Sequence, residues 1–151
     1  MYRSINTITK DANLRFAWAE ALPNATSAVS KAGTDAAKLI HIGQNPGFVF
    51  VWAKTAITLA AAATLKCELV AYSANTPASA ASPFQYGSLV HTITGAAETG
   101  TTIAAGTLLF AFAVDPALLE GKEYVGLKWT TSGDQSDETV NAVFAPFATL
   151  N

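Results

Sequence analysis

An all-β fold, a jelly roll or β-sandwich of about eight antiparallel strands, is what this sequence predicts. Two observations carry that expectation. Apolar and polar residues alternate with period two in run after run, the pattern of half-buried strands. Clusters such as GQNPG (43–47), SANTPASAASP (73–83), GAAETG (95–100) and SGDQSD (132–137) separate the runs with residues that turn the chain. No internal repeat, heptad or low-complexity linker divides the chain, so one domain accounts for its 151 residues.

The elements follow in order. Residues 1–24 contain Phe16 and Trp18 but little alternation, and they read as an N-terminal arm that packs on a neighbour, or else as a first edge strand. A single jelly-roll domain is expected over 25–151, beginning with a weak strand at 25–31 and a better one at KLIHIG (38–43). FVFVW (48–52) and LLFAFAV (108–114) are apolar at every position, which predicts central strands covered on both sides. In TLKCELVAY, Leu65, Cys67, Leu69 and Ala71 face one way and Thr64, Lys66, Glu68 and Val70 the other. GSLVHTITG (87–95) is a further strand. Near the C-terminus, Val125, Leu127 and Trp129 alternate with Gly126, Lys128 and Thr130, and Val140, Ala142 and Phe144 share a face. DPALLEG (115–121) is a short helical turn, with Asp115 as N-cap, Pro116 at the first helical position and Gly121 as terminator. Ala-rich 53–63 is where a helix competes, because Ala is the best helix former. Its Thr content and the alternation that follows favour strand, loop, strand, and the choice stays open.

Composition narrows the function. Only 13% of residues are charged, against about 25% in ordinary globular proteins, while 50% are hydrophobic. A skin so poor in charge predicts that part of the surface is hidden in other copies or in another protein. Net charge is −2 and the cations are scattered, so no electrostatic footprint for nucleic acid exists. Lys54 and three threonines interrupt the apolar stretch 48–65, which argues against a membrane span. The start MYRSINTITKDAN lacks the apolar core of a cleaved secretion signal.

Chemistry-bearing constellations are not apparent. His41 and His91 lie fifty residues apart without spaced partners, so no metal site is expected. Cys67, the one cysteine, excludes an internal disulfide and falls on the apolar face of its strand, where it reads as an inert core thiol. Most acids sit in turns, and no nucleophile elbow or phosphate-cradling loop occurs, so neither catalysis nor a cofactor is expected. Trp18, Trp52 and Trp129 would make a sugar-stacking platform if exposed, but the patterning assigns Trp52 and Trp129 to the core.

The succession KLIHIG, GFVFVWA, TLKCELVAY, the Ser/Pro loop SANTPASAASPF, YGSLVHTI, IAAGTLLFAFAV, DPALLEGKEYVGLKWTTSG and ETVNAVFAPF resembles one family. It is similar to the small jelly-roll capsid cement, or decoration, proteins of tailed bacteriophages, of the Bordetella-phage type. The similarity covers about residues 38–147, with EGKEYVGLKWTTSG before a closing strand its most telling part. The resemblance implies a homotrimer on the outer surface of the virion head that clamps adjoining major capsid proteins, without catalysis or cofactors. The first 37 or so residues depart from that pattern. Arg3, Lys10, Arg15, Phe16 and Trp18 are the expected anchors, since long cations and aromatics are favoured at interfaces. Asp134 and Gln135, at the tip of the closing hairpin, are expected to touch a partner. An arm in that role predicts that deleting residues 2–19 leaves a folded protein that no longer decorates heads. The alternative is a phage tail or spike jelly-roll module that binds a host glycan or receptor, and a further one is a self-assembling shell or tube subunit.

Overall fold

A computed structural model describes residues 12–29, 38–75 and 84–147. Eleven strands occur among them: β1 (Arg15–Ala21), β2 (Ser27–Val29), β3 (Ile40–His41), β4 (Gly47–Ala53), β5 (Ile57–Leu59), β6 (Thr64–Tyr72), β7 (Phe84–Thr94), β8 (Thr101–Ile103), β9 (Leu108–Val114), β10 (Tyr124–Thr131) and β11 (Thr139–Pro146). All pair antiparallel. One sheet has the order β1-β11-β4-β9, and the other β2-β10-β6-β7, with β3 also on β10. Strands β5 and β8 form a separate two-stranded ribbon. With β2 and β3 counted as one interrupted strand and that ribbon set aside, the sheets run 1-8-3-6 and 2-7-4-5. That double Greek key is a jelly roll.

Alternation builds the core. Val49, Val51 and Ala53 of β4, Phe110, Phe112 and Val114 of β9, and Val140, Ala142 and Phe144 of β11 all point inward. Leu65, Cys67, Leu69 and Ala71 of β6 and Val125, Leu127 and Trp129 of β10 meet them from the second sheet. Full burial of such side chains contributes about 1.5–3 kcal/mol each. Gly47 starts β4 because a Cβ there would collide with the Ala145 carbonyl and lie 2.7 Å from the Phe144 ring. Gly126 leaves room on the outer side of β10 for Leu39, which packs there with Val70 and Tyr72 as a second, smaller cluster.

Local signals behave as their chemistry requires. Asp115 caps the 3-10 turn Pro116–Leu119 by accepting from the Ala117 N–H at 3.0 Å. The left-handed termination begins at Glu120, one residue before the expected Gly121. Residues 53–63 are not helical: β5 forms there and a turn follows, with Ala62 at φ 57.

Residues 15–21 follow the second reading of the N-terminal segment, a first edge strand: they form β1, paired with β11, and not an arm. Phe16 and Ala17 there are fully buried, and burial of that pair fixes the segment to the sandwich. Residues 1–11 lie outside the described residues. One expectation needs correction: the doubly apolar runs 48–52 and 108–114 are not covered on both sides. Among the described residues, β4 is central in its sheet but carries an exposed Phe48 and half-buried Phe50 and Trp52 on its outer side, and β9 is an edge. Apolar sequence on both faces therefore marks surface here as well as core.

Candidate functional site

The outward positions of β4 are Phe48, Phe50 and Trp52, between the inward Val49, Val51 and Ala53. Register sets Ala145, Val143 and Asn141 of β11 beside them on one flank. On the other flank, Ala113 and Ala111 of β9 oppose Phe48 and Phe50, and Leu108 opposes Trp52. Phe147, just past β11, meets Phe48 edge-on at 5.0 Å between centroids, and Phe48 lies 5.8 Å from Phe50. Trp18 of β1 meets Trp52 edge-on at 6.5 Å. The Arg15 guanidinium carbon stands 3.9 Å from the centre of the Trp18 ring. Trp18 is 42% exposed, Phe48 37%, Leu108 57% and Phe147 48%.

These contacts make two groups, Phe147–Phe48–Phe50 and Trp52–Trp18–Arg15, and the alternation of β4 sets both in one row on the outside of the first sheet. Each aromatic pair adds about 0.5–1.5 kcal/mol beyond area burial, and the cation over the exposed Trp18 ring about 0.5–1 kcal/mol. Asn141 organises the Trp end. It is buried, and its Oδ1 accepts from the Ala19 N–H at 2.6 Å. Ala19 has φ 49, and the β1–β11 register shifts on both sides of Ala17. That bulge turns the strand so that Phe16 enters the core while Trp18 reaches the outer face. Chemically the row offers dispersion, ring stacking and a guanidinium, which are features of protein contacts.

The structure separates the residues expected to act together. Arg15 and Trp18 stack on each other at the outer face. Phe16 is core and unavailable to a partner. Arg3 and Lys10 lie outside the described residues. Asp134 is exposed at the hairpin tip, where its Oδ1 accepts from the Ser136 N–H at 3.0 Å and hydroxyl at 2.7 Å. Those bonds hold the Asp134 carboxyl below its ordinary pKa. Gln135 is buried instead of exposed. Its Nε2 donates to the Asp134 carbonyl at 2.9 Å and the Thr58 carbonyl at 3.3 Å, tying the tip to the β5–β8 ribbon. Trp129 is core as expected, while Trp52 is outward, contrary to its assignment.

The row's other members, Phe48, Phe50, Trp52 and Phe147, were missed as site residues. Their signal was present in FVFVW, but an apolar run looks the same whether its second face meets another layer or a partner.

Titratable groups elsewhere have structural surroundings. Cys67 lies opposite His91 in the β6–β7 register. Burial first, then the Glu68 and Glu20 carboxylates, push the Cys67 thiol well above its ordinary pKa. A thiol so held stays protonated near neutral pH and is a poor nucleophile. His91 packs against Phe112 at 5.0 Å and Phe110 at 6.1 Å. His41 Nε2 and Glu123 Oε2 are 3.0 Å apart on the surface. Buried Glu68 lies between Lys66 at 3.2 Å and Lys128 at 4.0 Å. Among the described residues, no three of His, Cys, Asp and Glu gather as metal ligands, and no helix is long and apolar enough to cross a membrane.

No known protein family matches the chain, and no curated protein matches it in sequence.

Proposed function

We propose that this chain is a structural binding protein, a capsid cement or decoration protein of the tailed-bacteriophage kind. It acts on the outer surface of the virion head, as a homotrimer that grips major capsid proteins without catalysis. The observation that carries the reading is the set of outward aromatics Phe147, Phe48, Phe50, Trp52 and Trp18 on one face of a jelly-roll sheet. Cement must hold many weak contacts at once, so avidity outweighs any single site. A nearly uncharged aromatic face suits that task, and the jelly-roll order agrees with what the sequence resemblance implies. The test is co-sedimentation of the purified protein with expanded heads and with precursor shells. Binding to the expanded form alone is expected, and equal failure on both overturns the proposal.

A second reading has a specific observation behind it. Trp18 and Trp52 stand together on the outside, and exposed tryptophans stack on sugar rings. Arg15 covers one face of Trp18, which leaves less ring free for a sugar. A glycan array read with wild type and Trp18→Ala separates the two, since glycan binding lost in the variant favours the tail or spike module.

A further inference from the structure

Eleven residues, MYRSINTITKD, precede Ala12 and lie outside the described residues. The point from which they leave is fixed. The 3-10 turn Ala12–Leu14 lies beside β11, and Leu14 packs against the core. β1 runs antiparallel to β11 with Arg15 opposite Val143, so the chain traced backwards from Arg15 heads toward Ala145 and Pro146. Ala145 pairs with Phe48, and Phe48 meets Phe147 edge-on. The segment therefore leaves the fold at the end of the first sheet that carries these two rings. Its reach is ample. Eleven residues at about 3.1 Å each span about 34 Å, while a four-stranded sheet is only about 14 Å wide between the axes of its outer strands.

We infer that residues 1–11 dock in cis on the Phe147–Phe48–Phe50 group. Phe48 and Phe147 are exposed and Phe50 is half-buried, so apolar surface there remains to be covered. Tyr2, Ile5 and Ile8 recur at every third position, which sets them on one side of an extended chain with three residues per turn. Arg3 and Lys10 supply cations for the phenyl rings, as Arg15 does for Trp18. The Trp52–Trp18 group is a poorer seat, because Arg15 already stands there and repels a second cation. The outer side of the second sheet is poorer still, with Lys66, Glu68 and Lys128 gathered on it and Ser27 bonded to Thr130. The occupant is the chain's own segment rather than a free partner, because a short tether holds it at an effective concentration on the order of mM. A partner then reaches the phenyl rings only by displacing residues 1–11. The inference does not rest on the cement reading, which concerns what the face binds once it is free.

NMR of the full chain with labelled isoleucine methyls tests it. The Ile5 or Ile8 methyls should show nuclear Overhauser contacts to the ring protons of Phe48, Phe50 or Phe147. In a mixture of labelled and unlabelled chains, an experiment that selects contacts between chains should find none of them. The double variant Ile5→Ser, Ile8→Ser should bind more of a hydrophobic dye than wild type. The methyl shifts of buried Ile42 and Ile57 should stay unchanged in that variant, which shows that its fold is kept. No contact to the three rings, contacts found only between chains, contacts to the Lys66–Lys128 face, or dye binding equal to wild type overturns the inference. Heads bound by a chain that lacks the contacts would overturn the cis docking and spare the cement reading. A chain that makes the contacts and ignores heads would do the reverse.

Discussion

Asn141 and Ala19, 122 residues apart in sequence, are joined by a 2.6 Å hydrogen bond from the Ala19 N–H to the Asn141 side-chain oxygen. The bond stabilises the bulge of β1 and sits beneath the Trp18–Trp52 pair. Asn141→Ala leaves that N–H without its acceptor. The expected loss is about 1–3 kcal/mol in urea denaturation, with a shift in tryptophan emission as Trp18 loses its fixed position. Unchanged stability and emission would show that the bulge holds without the bond.

Neighbouring aromatics of β1 should behave oppositely. Phe16→Ala empties a fully buried site and should destabilise the fold by about 3–5 kcal/mol. Trp18→Ala, on the outer face, should cost only about 1–2.5 kcal/mol, the scale of the contacts it makes to Trp52 and Arg15. Thermal melts of the two variants check the contrast.

Deletion of residues 2–19 should abolish cooperative folding, since it removes Phe16, Ala17 and most of β1. A truncated chain with wild-type circular dichroism and melting would return this segment to the role of a dispensable arm.

Cys67 predicts a pH dependence with a definite sign. Its folded pKa is raised, so the native state holds its proton at pH values where the unfolded thiol, near 8.5, has lost it. Its contribution is fully present below about pH 8.5 and is lost as pH rises toward the folded value. Cys67→Ala should flatten the alkaline limb of the stability profile. In the native wild type, the thiol should react with a disulfide reagent only at the rate of unfolding.

At the hairpin tip, Ser136→Ala removes the hydroxyl bond that depresses the Asp134 carboxyl. An NMR titration should find the Asp134 pKa moved up toward its ordinary value. No movement would assign the depression to the backbone N–H alone.

Most of the architecture was legible in the sequence because a strand's alternation records which face is buried. Val125, Leu127 and Trp129, with Val140, Ala142 and Phe144, were read as inner faces and are so. Three features were not legible. The β1 bulge depends on Asn141, far along the chain, so local alternation around Phe16 and Trp18 is scrambled. Gln135 looked like an exposed turn residue, but its burial depends on the β5–β8 ribbon folding over it. Phe48, Phe50 and Trp52 looked like core because hydrophobicity states that a face avoids water and does not state what covers it.

The most direct test of the central claim is quantitative binding of wild type and Phe48→Ser to expanded phage heads. Phe48 is partly exposed, so the fold should survive the change. Wild type should bind expanded heads, with affinity at least about 30-fold above that of the variant if Phe48 is a hot spot worth about 2 kcal/mol. Equal binding by a folded Phe48→Ser, or no binding by wild type, would contradict the account.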